Sequence, residues 1–440
     1  MARLALLALV VVTTWGCATY TDHLIKATGA ASTGNYEAAI SEMNGAIGVA
    51  SSDQLPDQWS GDTPLIVLER GSLQQAVTRF KGSSRDFSGA EQQLELLDLK
   101  TDPVGTLGSY LFSDSVKTYL TPPTERLSLN AINMLNYLAI GDLDGAAVEA
   151  RRFQVMREFL SSKDIKADQP AALGTYLAGF VFEHRGEGDR ALRYYDETLG
   201  AVRLASLEGP IKRLARTNPY RGNHLAEVLK SGGSPAAANA SQGELLVVVS
   251  VGRVPHREPR RIAVGAAVGL AGTAISGNAD FLKYGATKVV VYPELVSTPS
   301  SIGSVAVQID QSQAPVEELT NLGAAIRKEY DEMRPQIVAA ALTRMAARAG
   351  AAEGVRAAGR QESSLLGDIL SILFESTMVA LDKPDTRSWT MLPDRVLVTR
   401  VPVSEGAHNV TVSFGQGGRG AIPVNIPNGG FAVVVVTEPR

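Results

Sequence analysis

The residue with the clearest chemistry in this sequence is Cys17, the only cysteine among 440 residues. Residues 4–12 are an unbroken apolar run, Arg3 precedes them, and the small residue Gly16 stands directly before the cysteine. This order is typical of a secretory signal peptide, and the run is much shorter than the roughly 20 residues that span a bilayer. The pattern predicts that residues 1–16 are removed and that the thiol of Cys17 carries a lipid.

The residues around Cys17 refine this prediction. Thr14 stands where Leu or Val is usual in a lipidation signal, and Trp15 is bulky where a small residue is usual. An ordinary secretory signal with a chance cysteine and an uncleaved anchor therefore stay open as alternatives. Ala18, rather than Asp, follows the cysteine, which favours transfer to the outer membrane. We expect a periplasmic protein that is anchored to the outer membrane through a lipid on Cys17.

The other residues that could do chemistry form no known catalytic or metal-binding motif. Five histidines are spread over the chain with no HExxH motif and no pair at metal-ligand spacing: His23, His184, His224, His256 and His408. The glycine-rich residues 415–420 lack the Lys-Ser/Thr of a P-loop, which predicts the tip of a β-hairpin instead. One cysteine cannot form a thiolate zinc site. The sequence therefore predicts no catalytic residue, no metal and no cofactor.

Glu183, Glu187 and Asp189 are the candidates for acid–base chemistry. Paired carboxylates can hydrolyse glycosidic bonds without any sequence motif, so an enzyme that acts on cell-wall or glycan substrates stays an alternative. Glu187 and Asp189, however, lie in a predicted turn between helices, where polar residues are expected in any case. We therefore expect no enzymatic activity.

Several arginines are candidate binding residues. Arg257 and Arg260 belong to residues 253–261, which hold four arginines and one glutamate. Such a stretch can contact anionic lipid or a polyanionic polymer, although a solvated loop is the simpler interpretation. Arg151 and Arg152 could form a recognition surface on a helix, or ordinary ion pairs on the helix surface.

The composition is that of an ordinary globular protein, with 45% hydrophobic residues and a formal net charge of −4. A chain of this length can form two or three domains. Because the chain is slightly acidic rather than basic, we expect no binding to nucleic acid.

Residues 17–230 are predicted to form helical hairpins that resemble tetratricopeptide repeats. In four places a turn is followed by an aromatic residue or Leu, then by Ala and by apolar residues at helical spacing; these copies begin near residues 34, 85, 141 and 186. Regular arrays repeat every ~34 residues, so the repeats are degenerate, and a generic helical bundle stays the alternative. The residues expected to pack the repeats are Tyr36, Ala39, Phe87, Ala90, Tyr137, Gly141, Ala146, Gly186, Ala191 and Tyr195.

A more specific resemblance rests on four stretches that together span most of the chain. Residues 135–142 read LNYLAIGD, 68–71 read LERG, 243–248 read GELLVV and 385–389 read DTRSW. With these stretches the chain resembles a family of uncharacterised bacterial lipoproteins with tetratricopeptide-like repeats. The resemblance implies an envelope protein without established catalytic activity, whose partners are other envelope proteins, with small lipoproteins among the candidates.

Residues 244–440 follow a linker at 231–243 and are predicted to form an antiparallel β-sandwich-like domain. Strand-like runs cover residues 245–251, 288–292, 305–309, 396–403, 410–414, 421–426 and 431–436. The last four runs are expected to form two hairpins, because a short turn separates the members of each successive pair.

A helical insertion at about residues 315–382 interrupts the strands. Pro335 is expected to break its first helix or to begin a second one, and residues 365–381 read as a further apolar helix. Arg387 and Trp389 could cradle a ligand through a cation–π pair, or form a structural corner where the insertion rejoins the sheet. The predicted fold class is α+β, with degenerate tetratricopeptide-like hairpins followed by the strand-rich domain.

These features favour a protein–protein interaction scaffold. Stacked helical hairpins present an extended concave surface without needing catalytic groups, and this surface would hold an envelope partner. The alternatives are the glycan-acting enzyme and a module that binds a ligand or a membrane surface through residues 253–261.

Overall fold

The computed structural model describes residues 20–96, 119–163, 165, 168–231, 242–275, 288–359, 384–415 and 417–440. The fold is α+β, with helices first and most strands after residue 241. The helices are α1 (Tyr20–Ser32), α2 (Tyr36–Ala46), α3 (Thr63–Ala76), α4 (Phe80–Glu91), α5 (Pro123–Ala139), α6 (Leu143–Ser162), α7 (Asp168–His184), α8 (Gly188–Ala201), α9 (Glu208–Leu214), α10 (Leu225–Lys230), α11 (Val264–Ala271) and α12 (Leu322–Gly359).

The strands form two larger sheets and two smaller pairings. They are β1 (Glu95–Leu96), β2 (Leu120–Thr121), β3 (Gln242–Val251), β4 (His256–Ala263), β5 (Val289–Val296), β6 (Ala306–Ile309), β7 (Ser312–Ala314), β8 (Glu317–Asn321), β9 (Arg395–Ser404), β10 (Gly406–Phe414), β11 (Gly417–Ile426) and β12 (Phe431–Glu438). Sheet A has the order β12-β3-β9-β8 and sheet B the order β11-β10-β6-β7. Strands β4 and β5 form a separate antiparallel ribbon.

Helices α1 to α8 pack as four successive hairpins. Gly34, Gly141 and Gly186 occupy three of the turns with φ of 80°, 74° and 77°, which glycine adopts without a steric penalty. The remaining turn, between α3 and α4, is made by Thr78 with φ of 61°. The repeat expected to begin near residue 85 is therefore misplaced, because a threonine stands where the sequence pattern requires a glycine.

Small residues let the paired helices approach each other closely. A Cβ atom at Gly179 would lie 2.4 Å from the ring of Tyr195, and one at Gly71 would lie 2.6 Å from the ring of Phe87. Both distances are far below normal carbon–carbon contact. The aromatic side chains of α4 and α8 therefore fill space that only glycine leaves open on α3 and α7.

Sheet A lies between the helical hairpins and sheet B. Along β3, Leu245, Val247 and Val249 face the core between the two sheets, whereas Leu246 and Val248 face the core that contains the helices. This alternation explains why the β3 sequence is apolar throughout, since both faces of the strand are buried. The described strands of sheets A and B pair antiparallel except β12 and β3, which pair in parallel.

The two hairpins predicted near the end of the sequence are wrong. Strand β9 lies in sheet A and β10 in sheet B, and β11 lies in sheet B and β12 in sheet A. The chain crosses between the sheets after β9, where Gly406 has φ of 110°. The hairpin forms instead between β10 and β11, with Phe414 opposite Gly417, which places the glycine-rich stretch at its tip as predicted.

Helix α12 differs from the predicted insertion in two respects. It begins at Leu322, after β8, so residues 317–321 are strand rather than helix. It also continues through Pro335, which was expected to break it. The helix packs on α11, on β5 and on the inner helices α5 and α7. These neighbours hold α12 together although Pro335 removes one backbone hydrogen bond.

One apolar core connects the helical half of the chain, described over residues within 20–231, with the strand-rich half, described over residues within 242–440. It includes Leu68 of α3, Met134 of α5, Leu246 of β3, Val435 of β12 and Trp389. The predicted linker, apart from residues 231, 242 and 243, and the apolar helix predicted at 365–381 lie outside the described residues. The domain boundaries stay a prediction.

Candidate functional site

The inner face of the hairpins, predicted as the partner-binding surface, is covered by the chain itself. On α3, Glu69 accepts hydrogen bonds from the backbone N–H groups of Thr390 at 2.6 Å and Met391 at 2.7 Å. Ser72 accepts another from the indole N–H of Trp389 at 3.0 Å. An external partner could reach this face only by displacing the strand-rich half.

A second contact between the halves is built around Arg400 of β9, whose side chain is 1% exposed. Its Nη2 donates to Glu183 of α7 and to Glu244 of β3, both at 2.7 Å, and its Nη1 donates to the hydroxyl of Tyr195 at 2.8 Å. That hydroxyl donates to Glu183 at 2.6 Å. We call Arg400, Glu183, Glu244 and Tyr195 the Arg400 cluster.

The Arg400 cluster holds its carboxylates in the ionised form. Burial alone would raise the pKa of Glu183, but the charges of Arg400 and Arg213 outweigh burial and the pKa is lowered. The same competition between burial and Arg400 lowers the pKa of Glu244. A carboxylate fixed in this way serves as a counter-charge and cannot act as a general acid near neutral pH.

The three carboxylates of the enzyme alternative do not converge. Glu183 belongs to the Arg400 cluster. Glu187 lies in the turn before α8 and pairs with Arg185 at 3.2 Å. Asp189 accepts a hydrogen bond from the backbone N–H of Tyr220 at 2.9 Å. Each side chain has a separate structural partner, so the geometry offers no shared site for acid–base chemistry.

A second group of buried carboxyls lies where α5, α12 and β4 meet. Glu125 accepts a hydrogen bond from the hydroxyl of Tyr119 at 2.6 Å. Glu329 accepts bonds from the backbone N–H and the hydroxyl of Thr124, at 2.9 and 2.6 Å, and so caps the first turn of α5. Arg257 lines the same small cavity as both carboxyls. We call Glu125, Glu329, Tyr119 and Arg257 the Glu125 cluster.

The Glu125 cluster differs from the Arg400 cluster in its electrostatics. Burial raises the pKa of Glu125 to about 7, and the hydrogen bond from Tyr119 and the charge of Arg257 only partly offset that rise. Burial also raises the pKa of Glu329. The cavity that both line measures about 10 Å³, whereas ligand pockets usually measure about 300–1,000 Å³. The cluster is therefore too enclosed to receive a substrate.

Three of the candidate binding residues are buried, which argues against their role as contact residues and agrees with the structural corner given as the alternative for Arg387 and Trp389. Trp389 is fully buried and packs edge to face on Phe87, with ring centroids 5.6 Å apart. Arg387 is bound by Asp385 at 2.5 Å and Asp62 at 3.0 Å. Arg257 is buried in the Glu125 cluster. These side chains form a structural corner, because burial leaves none of them a surface to offer a ligand.

The other three candidate binding residues lie at the surface. Arg151 and Arg152 are exposed on α6, where Arg152 pairs with Glu149 at 3.1 Å. Arg260 is exposed on β4 and lies 3.4 Å from Glu294. Their positions are compatible with contact to a partner, and that role stays a prediction.

The residues expected to pack the repeats take three kinds of position. Tyr137 is half-buried, and Gly141 and Gly186 lie in exposed turns. The others are buried between the helices: Tyr36, Ala39, Phe87, Ala90, Ala146, Ala191 and Tyr195.

An open groove runs between the helical hairpins and the two sheets. It encloses about 640 Å³, within the range of binding pockets. None of the described residues that line it is charged. The lining residues are Thr78, Phe80, Leu138, Ala139 and Gly141 from the helical half, Ile422, Pro423, Val424 and Asn425 from β11, and Phe431, Ala432, Val433, Val434 and Val435 from β12. We call this surface the β12 groove.

Among the strands that the structure describes, none pairs with the edge of β12 that faces this groove. Strand β12 ends the order of sheet A and pairs with β3 on its other side. The carbonyls of Gly430 and Glu438 accept hydrogen bonds from the backbone N–H groups of Glu244 and Gly252, so both carbonyls point toward β3. Because bonding alternates along a strand, the even-numbered residues face β3. The odd-numbered residues therefore direct their N–H and C=O groups away from β3, toward the groove.

The sequence patterns predict neither the β12 groove nor the Arg400 cluster. The groove depends on which strands pair, and the strand pattern predicted a β11–β12 hairpin that would have closed it. The cluster had a weak signal, since Arg400 stands among the valines of β9 and Glu244 stands near the start of β3. A charged residue inside a buried strand requires a partner.

Cys17 lies outside the described residues. Within the ranges that the structure does describe, no helix combines the length and the apolar character needed to cross a bilayer. No protein-family model, no curated protein and no solved structure matches this chain. The resemblance to lipoproteins with tetratricopeptide-like repeats therefore stays a prediction.

Proposed function

We propose that this protein is an interaction protein of the periplasm, anchored to the outer membrane by a lipid on Cys17, that binds envelope proteins and has no enzymatic activity. The β12 groove is the observation that carries the proposal. It is open, uncharged and lined by a strand edge, whereas the inner face of the hairpins is occupied by the strand-rich half. The groove, rather than the inner face of the hairpins, is therefore the proposed partner surface.

The buried ionisable groups favour binding over catalysis. In the Arg400 cluster each carboxylate is paired with the same guanidinium, and the Glu125 cluster encloses a cavity too small for a substrate. Both clusters join the helical and strand-rich halves. They support a rigid body that presents a groove rather than a site that performs chemistry.

The anchor is tested by fractionating cells that make the wild type or Cys17→Ala, with the intact mass of the mature protein measured in parallel. We expect a wild-type chain that begins at Cys17, carries added acyl mass and lies in the outer-membrane fraction. The Cys17→Ala protein should lose the acyl mass and leave that fraction. A wild-type chain without acyl mass would contradict the anchor.

The partner surface is tested in cells with a photo-crosslinking amino acid at Asn425, an exposed residue of the groove wall. The matched control carries the same amino acid at Arg151, an exposed residue on the outer helix α6. We expect a discrete product with an envelope protein from position 425 and none from 151. A product from position 151 alone would contradict the groove and place the partner on the outer helices.

A further inference from the structure

We infer that the β12 groove binds an extended, uncharged aliphatic segment of a partner protein, which adds to β12 as a strand and places an acidic group beside Arg419. This inference rests on the proposed function and names the chemistry of the partner. Three features support it: the unpaired edge of β12, the proline in the edge of β11, and the charge at one end of the groove.

The edge of β12 has the hydrogen-bonding pattern of an unfinished sheet. Phe431, Val433 and Val435 line the groove, and by the alternation set by β3 their backbone groups point into it. Donors and acceptors that recur at every second residue match the backbone of another extended strand. Strand addition of this kind is a common mode of peptide recognition, in which main-chain bonds give affinity and side-chain pockets give specificity.

The edge of β11 on the opposite wall cannot serve in the same way. The N–H and C=O groups of Asn409 both bond to Asp310, on the side of β10 away from β11. Pro423 is the residue opposite Asn409. Its backbone therefore points away from β10, into the groove, where proline has no N–H to donate. Such a proline blunts an edge strand, so the incoming strand must bond to β12.

The charges around the groove define the occupant further. The lining is uncharged, so a buried charge in the segment would lie there without a counter-charge. Arg419 stands just beyond the Val435 end of the groove, where its Nη2 donates to the carbonyls of Thr437 at 3.1 Å and Ala76 at 2.8 Å. Its Nη2 also lies 3.7 Å from a carboxylate oxygen of Glu438, and its side chain is 30% exposed, so a carboxylate of the partner can reach the guanidinium but shares it with Glu438. Residues 431–435 offer about 16 Å of edge, enough for about five residues.

The first test uses synthetic peptides, so its outcome does not depend on the folding of a variant. The probe is a fluorescent peptide with Val at alternate positions, Thr between them and Asp at one end. Two further versions carry N-methyl groups either on the Val amides or on the Thr amides. A strand bound at one edge uses only every second residue, so we expect one version to bind at least tenfold more weakly and the other within twofold of the parent. Equal binding by the two versions, or no binding of any peptide at millimolar concentration, would overturn strand addition.

The second test uses variants of the full chain. Val433→Pro removes an N–H group that faces the groove and leaves the β3 ladder intact, so peptide affinity should fall at least tenfold. Val433→Thr keeps the N–H and a side chain of the same shape, and should bind like the wild type. Arg419→Gln should remove a three- to tenfold preference for the peptide ending in Asp over one ending in Asn. Circular dichroism establishes that each variant is folded.

The outcomes separate this inference from the proposed function. If position 425 crosslinks to an envelope protein but N-methylation does not change peptide binding, the groove remains the partner surface and strand addition is rejected. Failure of crosslinking with selective peptide binding would support the strand mode and reject the proposed envelope partner. Sedimentation analysis adds one further outcome. A dimer that dissociates in Val433→Pro would show that the occupant is a second copy of this chain, which contradicts the partner segment inferred here.

Discussion

The Arg400 cluster and the Glu125 cluster are both buried, both contain two carboxyl groups and both join the helical half to the strand-rich half. They differ in what surrounds the carboxyls. Arg400 donates directly to Glu183 and Glu244 at 2.7 Å, and the pKa of each is lowered. In the Glu125 cluster, Glu125 accepts a hydrogen bond from the neutral hydroxyl of Tyr119 and Glu329 accepts one from the neutral hydroxyl of Thr124, and burial raises the pKa of both carboxyls.

In these two clusters the charge of Arg400 outweighs the effect of burial on the carboxyl pKa, whereas burial dominates at Glu125 and Glu329. The Arg400 cluster is a permanent ionic joint near neutral pH. The Glu125 cluster is a joint whose charge changes within the physiological range. The two contacts between the halves should therefore respond differently to mutation and to pH.

The largest effect is expected for Arg400→Ala. The substitution leaves Glu183 and Glu244 buried without their cation, and such a loss typically costs about 3–5 kcal/mol of unfolding free energy. Urea denaturation at neutral pH measures the change. The control is Arg213→Ala, because Arg213 contacts the same Glu183 but is about half exposed, at 49%. It should cost less than about 1 kcal/mol. Similar losses in the two variants would show that burial of the ion pair is unimportant.

The next effect is the pH dependence of the Glu125 cluster. The pKa of Glu125 is about 7 in the folded protein and 4.5 in a free glutamate, so the folded state binds the proton more tightly. Stability from this group is therefore full below pH 4.5 and is lost as the pH rises through about 7. The change across this window is about 3 kcal/mol. Urea denaturation at a series of pH values measures it.

Glu125→Gln keeps the shape of the side chain and removes the titration. The variant should show a flatter pH profile between 4.5 and 7 and a higher unfolding free energy than the wild type at pH 8. Glu42→Gln, at an exposed position on α2, serves as the control and should keep the wild-type slope. If the slope persists in Glu125→Gln, the titrating group is a different residue.

The smallest effect is expected at an exposed ion pair, which calibrates the other two. Arg203 and Glu227 lie 2.5 Å apart, and their side chains are 85% and 69% exposed. Solvent screens such a pair, so Arg203→Ala should change the unfolding free energy by less than about 1 kcal/mol. Added salt should reduce even that difference. A larger loss would mean that distance alone predicts the strength of an ion pair in this protein.

The local parts of the fold could be predicted from the sequence, because local signals determine them. Gly34, Gly141 and Gly186 marked three helix turns, since few other residues adopt a positive φ. Thr78 makes the same turn without that signal, and the second repeat was consequently misplaced. The strand runs were also recognisable, because alternation and apolar runs are properties of each segment alone.

The pairing of the strands could not be predicted in the same way. Each of the two predicted hairpins joins strands that are neighbours in the sequence. In the structure, however, β10 lies in a different sheet from β9, and β12 lies in a different sheet from β11. The β12 groove follows from that arrangement and had no signal of its own. The side-chain types of Arg387 and Trp389 allow either a ligand site or a structural corner, and their burial against α3 and its N-terminal Asp62 favours the structural corner.

The parallel pairing of β12 with β3 determines when this protein can fold. Every other described strand is synthesised before β12, which begins at Phe431, whereas β3 ends at Val251. Until β12 leaves the ribosome, one edge of β3 and the faces of α3 and α5 that β12 covers have no partner. Contacts so distant along the chain form slowly. The nascent protein therefore exposes an apolar surface for most of its synthesis, and holdase chaperones are the factors that would protect it.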